Sequence, residues 1–175
     1  MMKYSIGISG SAAGNISSET TKKAYIIGQE IAKAGITLVT GATTGFSFES
    51  VKGAKDNGGL VIGVSPAINR QEHIEKYQYP VEEFDFISYT GFDRKGRNVL
   101  FIRACDALIC IGGRIGTLNE FTIAYDEGKP IGVLKSGGIT DLLPKIVKTA
   151  NKGSTKVIYD SNPKKLVKEL IKLVI

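Results

Sequence analysis

Tryptophan is absent from this chain of 175 residues, and histidine occurs once, as His73. Cysteine occurs twice, as Cys105 and Cys110, with neither a C-x-x-C pair nor a nearby histidine. Structural zinc sites draw on clustered Cys and His ligands at short spacings, so this pattern excludes one, and no residue is assigned to a metal. Two thiols flanking an apolar run read instead as free core cysteines, which suits a reducing compartment. No apolar run approaches the roughly 18 residues of a membrane-spanning helix, and the first residues lack a signal-peptide core. The expected location is therefore cytoplasmic, with no membrane partner. Arginine-rich runs and basic stretches interleaved with aromatics are also missing, which argues against a nucleic-acid partner. The net charge of +6 still favours small anionic ligands through the long-range field. Part of that charge is the lysine face of the last helix, at Lys164, Lys165, Lys168 and Lys172.

What is plentiful is glycine, with 21 residues, many placed just after apolar runs. Those runs predict strands at Lys3–Ser9, Thr37–Thr40, Leu60–Ser65, Phe84–Tyr89, Asp106–Ile111, Ile131–Leu134 and Lys156–Tyr159. Amphipathic spacing predicts helices at Ser18–Ala34, Phe46–Asn57, Asp93–Ala104, Gly116–Glu127, Thr140–Ala150 and Pro163–Val174. Ala67–Glu83 reads as one long irregular, polar segment, with His73 and Tyr77 in a solvated loop. Alternating strands and helices imply βαβ units, and continuously apolar strands imply a parallel sheet covered on both faces. The expected fold is α/β: a Rossmann-like, doubly wound parallel sheet of about seven strands in three αβα layers, with residues 1–175 as one domain.

In such a sheet a ligand sits beyond the carboxyl ends of the strands, where the strand order reverses. The first turn, Gly7-Ile-Ser-Gly-Ser-Ala-Ala-Gly14, offers Gly10 and Ser11. The second, Thr40-Gly-Ala-Thr-Thr-Gly-Phe46, offers Gly41, Thr44 and Gly45. Neither matches G-x-G-x-x-G, and tight turns need glycine with or without a ligand. The more telling run is Ile111-Gly-Gly-Arg-Ile-Gly-Thr-Leu-Asn-Glu120. There Gly112, Gly113, Arg114, Gly116 and Thr117 bring a strand into a helix N-terminus, where amides and the helix dipole form an anion site. Thr117-x-x-Glu120 is also the spacing of a capping box, which on spacing alone is the favoured reading of that pair. Arg94, Lys95 and Arg97 crowd the start of an earlier helix, where cations oppose the dipole unless an anion relieves them. Asp93 reads as that helix's cap. If the fourth and fifth strands are neighbours, Arg97 and Glu120 face one cleft.

Arg97-Asn98, Ala104-Cys-Asp-Ala107 and Gly112-Gly-Arg-Ile-Gly-Thr-Leu-Asn-Glu120 together resemble the Lonely guy-type family, long labelled lysine decarboxylase-like. Glu49 to Pro66 is similar to that family's second helix and third strand, so the resemblance covers most of residues 3–135. Ile111 stands where a proline is usual and Asn98 where a lysine is usual. This Arg-Asn form is more similar to the branch holding molybdenum-cofactor carrier-like proteins. The resemblance implies a homodimer with a nucleotide site near the subunit interface. It implies catalytic roles for Arg97 and Glu120 in hydrolysing nucleoside 5′-monophosphates to free base and ribose 5-phosphate, with the phosphate on Gly113, Gly116 and Thr117. It requires no cofactor beyond a bound nucleotide or phosphate. The alternative it implies is a non-catalytic carrier of a nucleotide or of molybdenum cofactor.

Overall fold

The computed structural model describes residues 4–12, 17–150 and 155–175. Lys3 of the expected first strand and Gly14 of the first glycine turn lie outside them. Seven strands, β1 (Ser5–Gly10), β2 (Thr37–Thr40), β3 (Val61–Ser65), β4 (Phe86–Tyr89), β5 (Ala107–Ile111), β6 (Ile131–Leu134) and β7 (Val157–Asp160), form one parallel sheet. Their order is β4-β3-β2-β1-β5-β6-β7. The helices are α1 (Ser18–Lys33), α2 (Phe46–Lys55), α3 (Arg70–Glu75), α4 (Asp93–Arg103), α5 (Ile115–Asp126), α6 (Leu143–Ala150) and α7 (Pro163–Val174).

The layers follow from side-chain alternation along each strand. Ile6 and Ile8 of β1, with Ile109 and Ile111 of β5, face α1, α2 and α7. Leu108 and Cys110 of β5 face α4, α5 and α6. The chain steps from β1 outward to β4 and then jumps back past β1 to β5. Because parallel crossovers are right-handed, reversing direction sends α4, α5 and α6 to the opposite face. The reversal falls between β1 and β5, which opens the crevice at their carboxyl ends. On the first face α1 and α2 pack backbone to backbone: a Cβ on Gly28 would sit 1.8 Å from the Ser50 carbonyl oxygen.

Three expectations are corrected here. The segment Ala67–Glu83 is not wholly irregular, because it contains α3. Its start is a reciprocal cap: the Glu72 N–H donates to Asn69 Oδ1 at 2.9 Å, and the Ile68 N–H donates to Glu72 Oε2 at 2.7 Å. His73 is fully buried, between Ser65 Oγ at 2.8 Å and the Pro80 carbonyl at 3.0 Å, rather than solvated. Tyr77 is also buried. Finally, β4 and β5 are not neighbours but are separated by β3, β2 and β1. A smaller difference is that the helix expected over Thr140–Ala150 divides into a 3₁₀ turn, Gly138–Asp141, and α6.

Candidate functional site

A hollow of about 460 Å³ opens at the carboxyl ends of β1 and β5. That volume lies in the range of small-molecule sites, roughly 300–1,000 Å³. Of the expected site residues, Gly10, Ser11, Gly41, Thr44, Arg97, Arg114, Gly116, Thr117 and Glu120 line it. Gly45, Gly112 and Gly113 do not, and instead shape the turns behind the wall. Gly45 precedes α2 with φ of 78°. Gly112 and Gly113 have φ of 56° and 95°, and the Gly112 N–H is taken by Ser136 Oγ at 2.9 Å. A side chain at Gly113 would in any case collide with Thr117, its Cβ lying 2.2 Å from Oγ1.

Arg97 and Glu120 meet although their strands lie apart. Helix α4 returns across the sheet from its edge to the centre and packs on α5. Arg97 Nη1 lies 3.5 Å from Glu120 Oε1, and both side chains are almost wholly buried. The contact is single rather than the two-pronged fork that makes Arg–carboxylate pairs strong. Arg97 Nε has no hydrogen-bond partner among the described residues. The guanidinium fits only because residue 41 is glycine: a Cβ there would lie 1.9 Å from Nη1.

Ser9, on the strand face opposite Ile8, donates its hydroxyl to Glu120 Oε2. With the Asn98 amide turned so that its nitrogen faces inward, that nitrogen lies 3.0 Å from Glu120 Oε1 and 2.8 Å from the Arg94 carbonyl. Burial pushes the Glu120 carboxyl above its ordinary value, more strongly than Arg97 and Ser9 pull it down. Burial likewise lowers Arg97, against the raising effect of Glu120. The carboxylate is thus engaged in the floor of the hollow. It does not close a capping box with Thr117, which overturns the reading favoured by spacing alone. Helix α5 begins after Arg114, no side chain among the described residues caps it, and Thr117 is its third residue. The amides of Ile115, Gly116 and Thr117 have no acceptor among the described residues.

Arg94, Lys95 and Arg114 also line the hollow and have no acidic partner among the described residues. Among the described residues, four cations therefore border it against one carboxylate. Asp93 does not cap α4 from outside; it is the helix's first residue, and its Oδ1 accepts from the Arg94 N–H at 2.7 Å and the Tyr77 hydroxyl at 2.9 Å. Ser9, Thr43, Ser47, Tyr79 and Asn98 line the hollow without having been singled out from the sequence as lining it. Strand alternation could have found Ser9, since it shares a face with Gly7 one step before the turn. Nothing in the pattern of Ala67–Glu83 marks Tyr79. Among the described residues no group of three metal-ligating side chains converges, and no helix is long and apolar enough to cross a membrane.

A doubly wound parallel sheet with a cationic hollow at its β1–β5 switch point defines a Rossmann-like α/β protein built around a ligand crevice. More narrowly, the chain belongs to the SLOG cluster4 family, whose model matches residues 3–167. An uncharacterised protein of Archaeoglobus fulgidus is 36% identical over 135 residues, which is 77% of this chain and 82% of that one. Among solved structures, the molybdenum cofactor binding protein of the phototrophic bacterium Rippkaea orientalis is 29% identical, with a TM-score of 0.82 over 99% of this chain and 98% of that chain. The Moco carrier protein of Chlamydomonas reinhardtii is 26% identical, with a TM-score of 0.75 over 98% of this chain and 99% of that chain.

Proposed function

We propose that this protein binds a small phosphorylated, nucleotide-like ligand and holds it intact, as a carrier does. The observation that carries this reading is Arg97. A guanidinium this deeply buried, with one long contact and an unpartnered Nε, borders a hollow that also receives the open N-terminus of α5. An anion placed there meets the open amides of α5 and the surplus of cations together. The likeness to a molybdenum cofactor binding protein extends the candidate ligands from nucleotides to phosphorylated pterins. No cysteine lines the hollow, and burial raises both thiols. Such a cargo is therefore gripped through its phosphate rather than by a thiolate.

A second reading, hydrolysis of nucleoside 5′-monophosphates, is favoured by the Arg97–Glu120 pair in the floor. A carboxylate there stabilises the oxocarbenium-like sugar that forms as the base departs. One experiment tests both. Nucleoside monophosphates are titrated by calorimetry, and the same mixtures are assayed for released base. Saturable binding without release supports the carrier. Release that disappears in Arg97→Ala and Glu120→Ala supports the hydrolase. Absence of binding for phosphate, ribose 5-phosphate and every nucleotide at low salt refutes the shared premise.

A further inference from the structure

The hollow is not uniform, and its second half carries information about what the ligand must look like. Arg114, Gly116 and Thr117 stand after β5, whereas Tyr79 comes from the segment that follows β3 and packs beside it. From β3 through β2 and β1 to β5 is three strand spacings, on the order of 14 Å. The strand order thus places Arg114, Gly116 and Thr117 on the β5 side of the hollow and Tyr79 on its β3 side, with Arg97 between them.

The aromatic end is built from the chain's own strained backbone. Tyr79 follows Gln78, which has φ of 54°, and Arg94 follows Asp93, which has φ of 53°. Left-handed non-glycine residues are uncommon and persist where the surroundings enforce them. Tyr79 stacks on Tyr77 with ring centroids 5.6 Å apart and meets His73 edge-on at 5.6 Å. The Arg94 guanidinium lies 5.5 Å from the Tyr77 centroid and 5.8 Å from that of Tyr79. Tyr77 is fixed in turn by its hydroxyl on Asp93. The buried His73, bonded to Ser65 and Pro80, backs the whole assembly. Tyr79 is itself half-buried, reaches the hollow, and its hydroxyl has no hydrogen-bond partner among the described residues.

Resting on the phosphate-binding reading, we propose that Tyr79 and Arg94 form a seat for a planar heteroaromatic ring. The ligand is then a phosphate ester that carries such a ring at its far end, and Tyr79 is a specificity-determining residue. Both surfaces stack on π-systems without reading individual bases: an aromatic face and a guanidinium plane are sequence-tolerant platforms.

Three probes separate the two ends: inorganic phosphate, ribose 5-phosphate and adenosine 5′-monophosphate, titrated by calorimetry into wild type, Tyr79→Leu and Tyr79→Phe. Leucine keeps apolar volume but removes the π-face; phenylalanine restores it. Wild type should bind the nucleotide at least about fivefold more tightly than ribose 5-phosphate, in line with the roughly fivefold to 150-fold worth of one stacked base. Tyr79→Leu should lose most of that advantage while its affinity for ribose 5-phosphate stays within about twofold, and Tyr79→Phe should keep it. If both sugar phosphates bind and Tyr79→Leu leaves the advantage intact, the ring seat is refuted while the phosphate site stands. If Tyr79→Leu weakens both probes equally, Tyr79 merely supports the wall and the inference fails. If no phosphorylated probe binds wild type, both readings fall. Thermal melting of each variant confirms that the comparison is between folded proteins.

Discussion

Gly41→Ala is the sharpest test of the site, because one methyl group is enough. The added Cβ would stand 1.9 Å from Arg97 Nη1 and 2.6 Å from Cζ. To recover a normal separation of about 3.5 Å, the guanidinium must retreat by roughly 1.5 Å. The clash is with the movable end of a side chain and not with backbone, and Gly41 has no left-handed φ to defend. The fold should therefore absorb it, at less than about 1 kcal/mol, or roughly 2–4 °C in melting temperature for a chain of this size. Ligand binding should not absorb it. A hydrogen bond to a charged group contributes about 1.5–3 kcal/mol, and losing one weakens affinity by roughly tenfold to 150-fold. The assay is calorimetric titration of ribose 5-phosphate into wild type, Gly41→Ala, Arg97→Ala and the double variant. In the Arg97→Ala background the obstructed group is gone, so the glycine substitution should then cost almost nothing, a strongly non-additive cycle. Wild-type affinity in Gly41→Ala, or an equal cost in both backgrounds, refutes the claim that Gly41 exists to seat Arg97 against a ligand.

Three further outcomes follow from the same geometry. Burial raises the folded-state value of Glu120 above the ordinary 4.5, so stability from this carboxyl is full below that unfolded value and is lost as pH climbs through the folded one. The stability of wild type relative to Glu120→Gln should accordingly fall as pH rises above about 4.5, whatever the offset from leaving Arg97 unpaired; a difference that grows in wild type's favour with pH overturns the sign. Arg114 is exposed and without an acidic partner among the described residues, so Arg114→Ala should change stability by no more than about 0.5 kcal/mol. Its affinity for ribose 5-phosphate should fall about threefold to tenfold and become less salt-dependent, and unchanged salt dependence counts against a role at the anion end. His73→Ala opens a hole between Tyr79 and Tyr89 and strands Ser65 and the Pro80 carbonyl. It should cost about 2–4 kcal/mol by chemical denaturation, and a cost under about 1 kcal/mol would mean His73 does not brace the aromatic wall.

Most of the frame was readable because periodicity is a local signal. Thr37–Thr40, Ile131–Leu134 and Pro163–Val174 fall where apolar spacing and turn residues place them. The glycine turns marked the carboxyl ends of β1, β2 and β5 for the same reason. What escaped the sequence was pairing at a distance. Spacing alone makes Thr117-x-x-Glu120 a capping box, because nothing local says that Ser9, 111 residues away, competes for that carboxylate. The route of α4 back across the sheet was equally hidden, so Arg97 and Glu120 met for a different reason than neighbouring strands. His73 looked solvated because its partners, Ser65 and Pro80, lie on either side of a helix only six residues long. The Asn69-x-x-Glu72 spacing that caps that helix is itself a local signal, as is the strand alternation that places Ser9.

The Arg97–Glu120 pair makes most sense as a feature retained for ligand binding rather than for stability. Two buried charges joined by a single 3.5 Å contact do not offset the desolvation of both, and replacing such a pair with apolar groups is often neutral or stabilising. The pair sits where α5 leaves its first amides open and where Gly41 gives up its side chain to make room. Each of these choices weakens the local structure slightly, and all three converge on one hollow. On the proposed reading, an incoming phosphate would change the balance at once: it would add an anion beside the Arg97 guanidinium and at the helix end. It would also stand close to Glu120, where a second negative charge makes ionisation still harder. Burial and an anion would thus both oppose ionisation of Glu120, whereas glycosidic cleavage would depend on an ionised carboxylate there. That coupling is the physical reason to rank the carrier above the hydrolase.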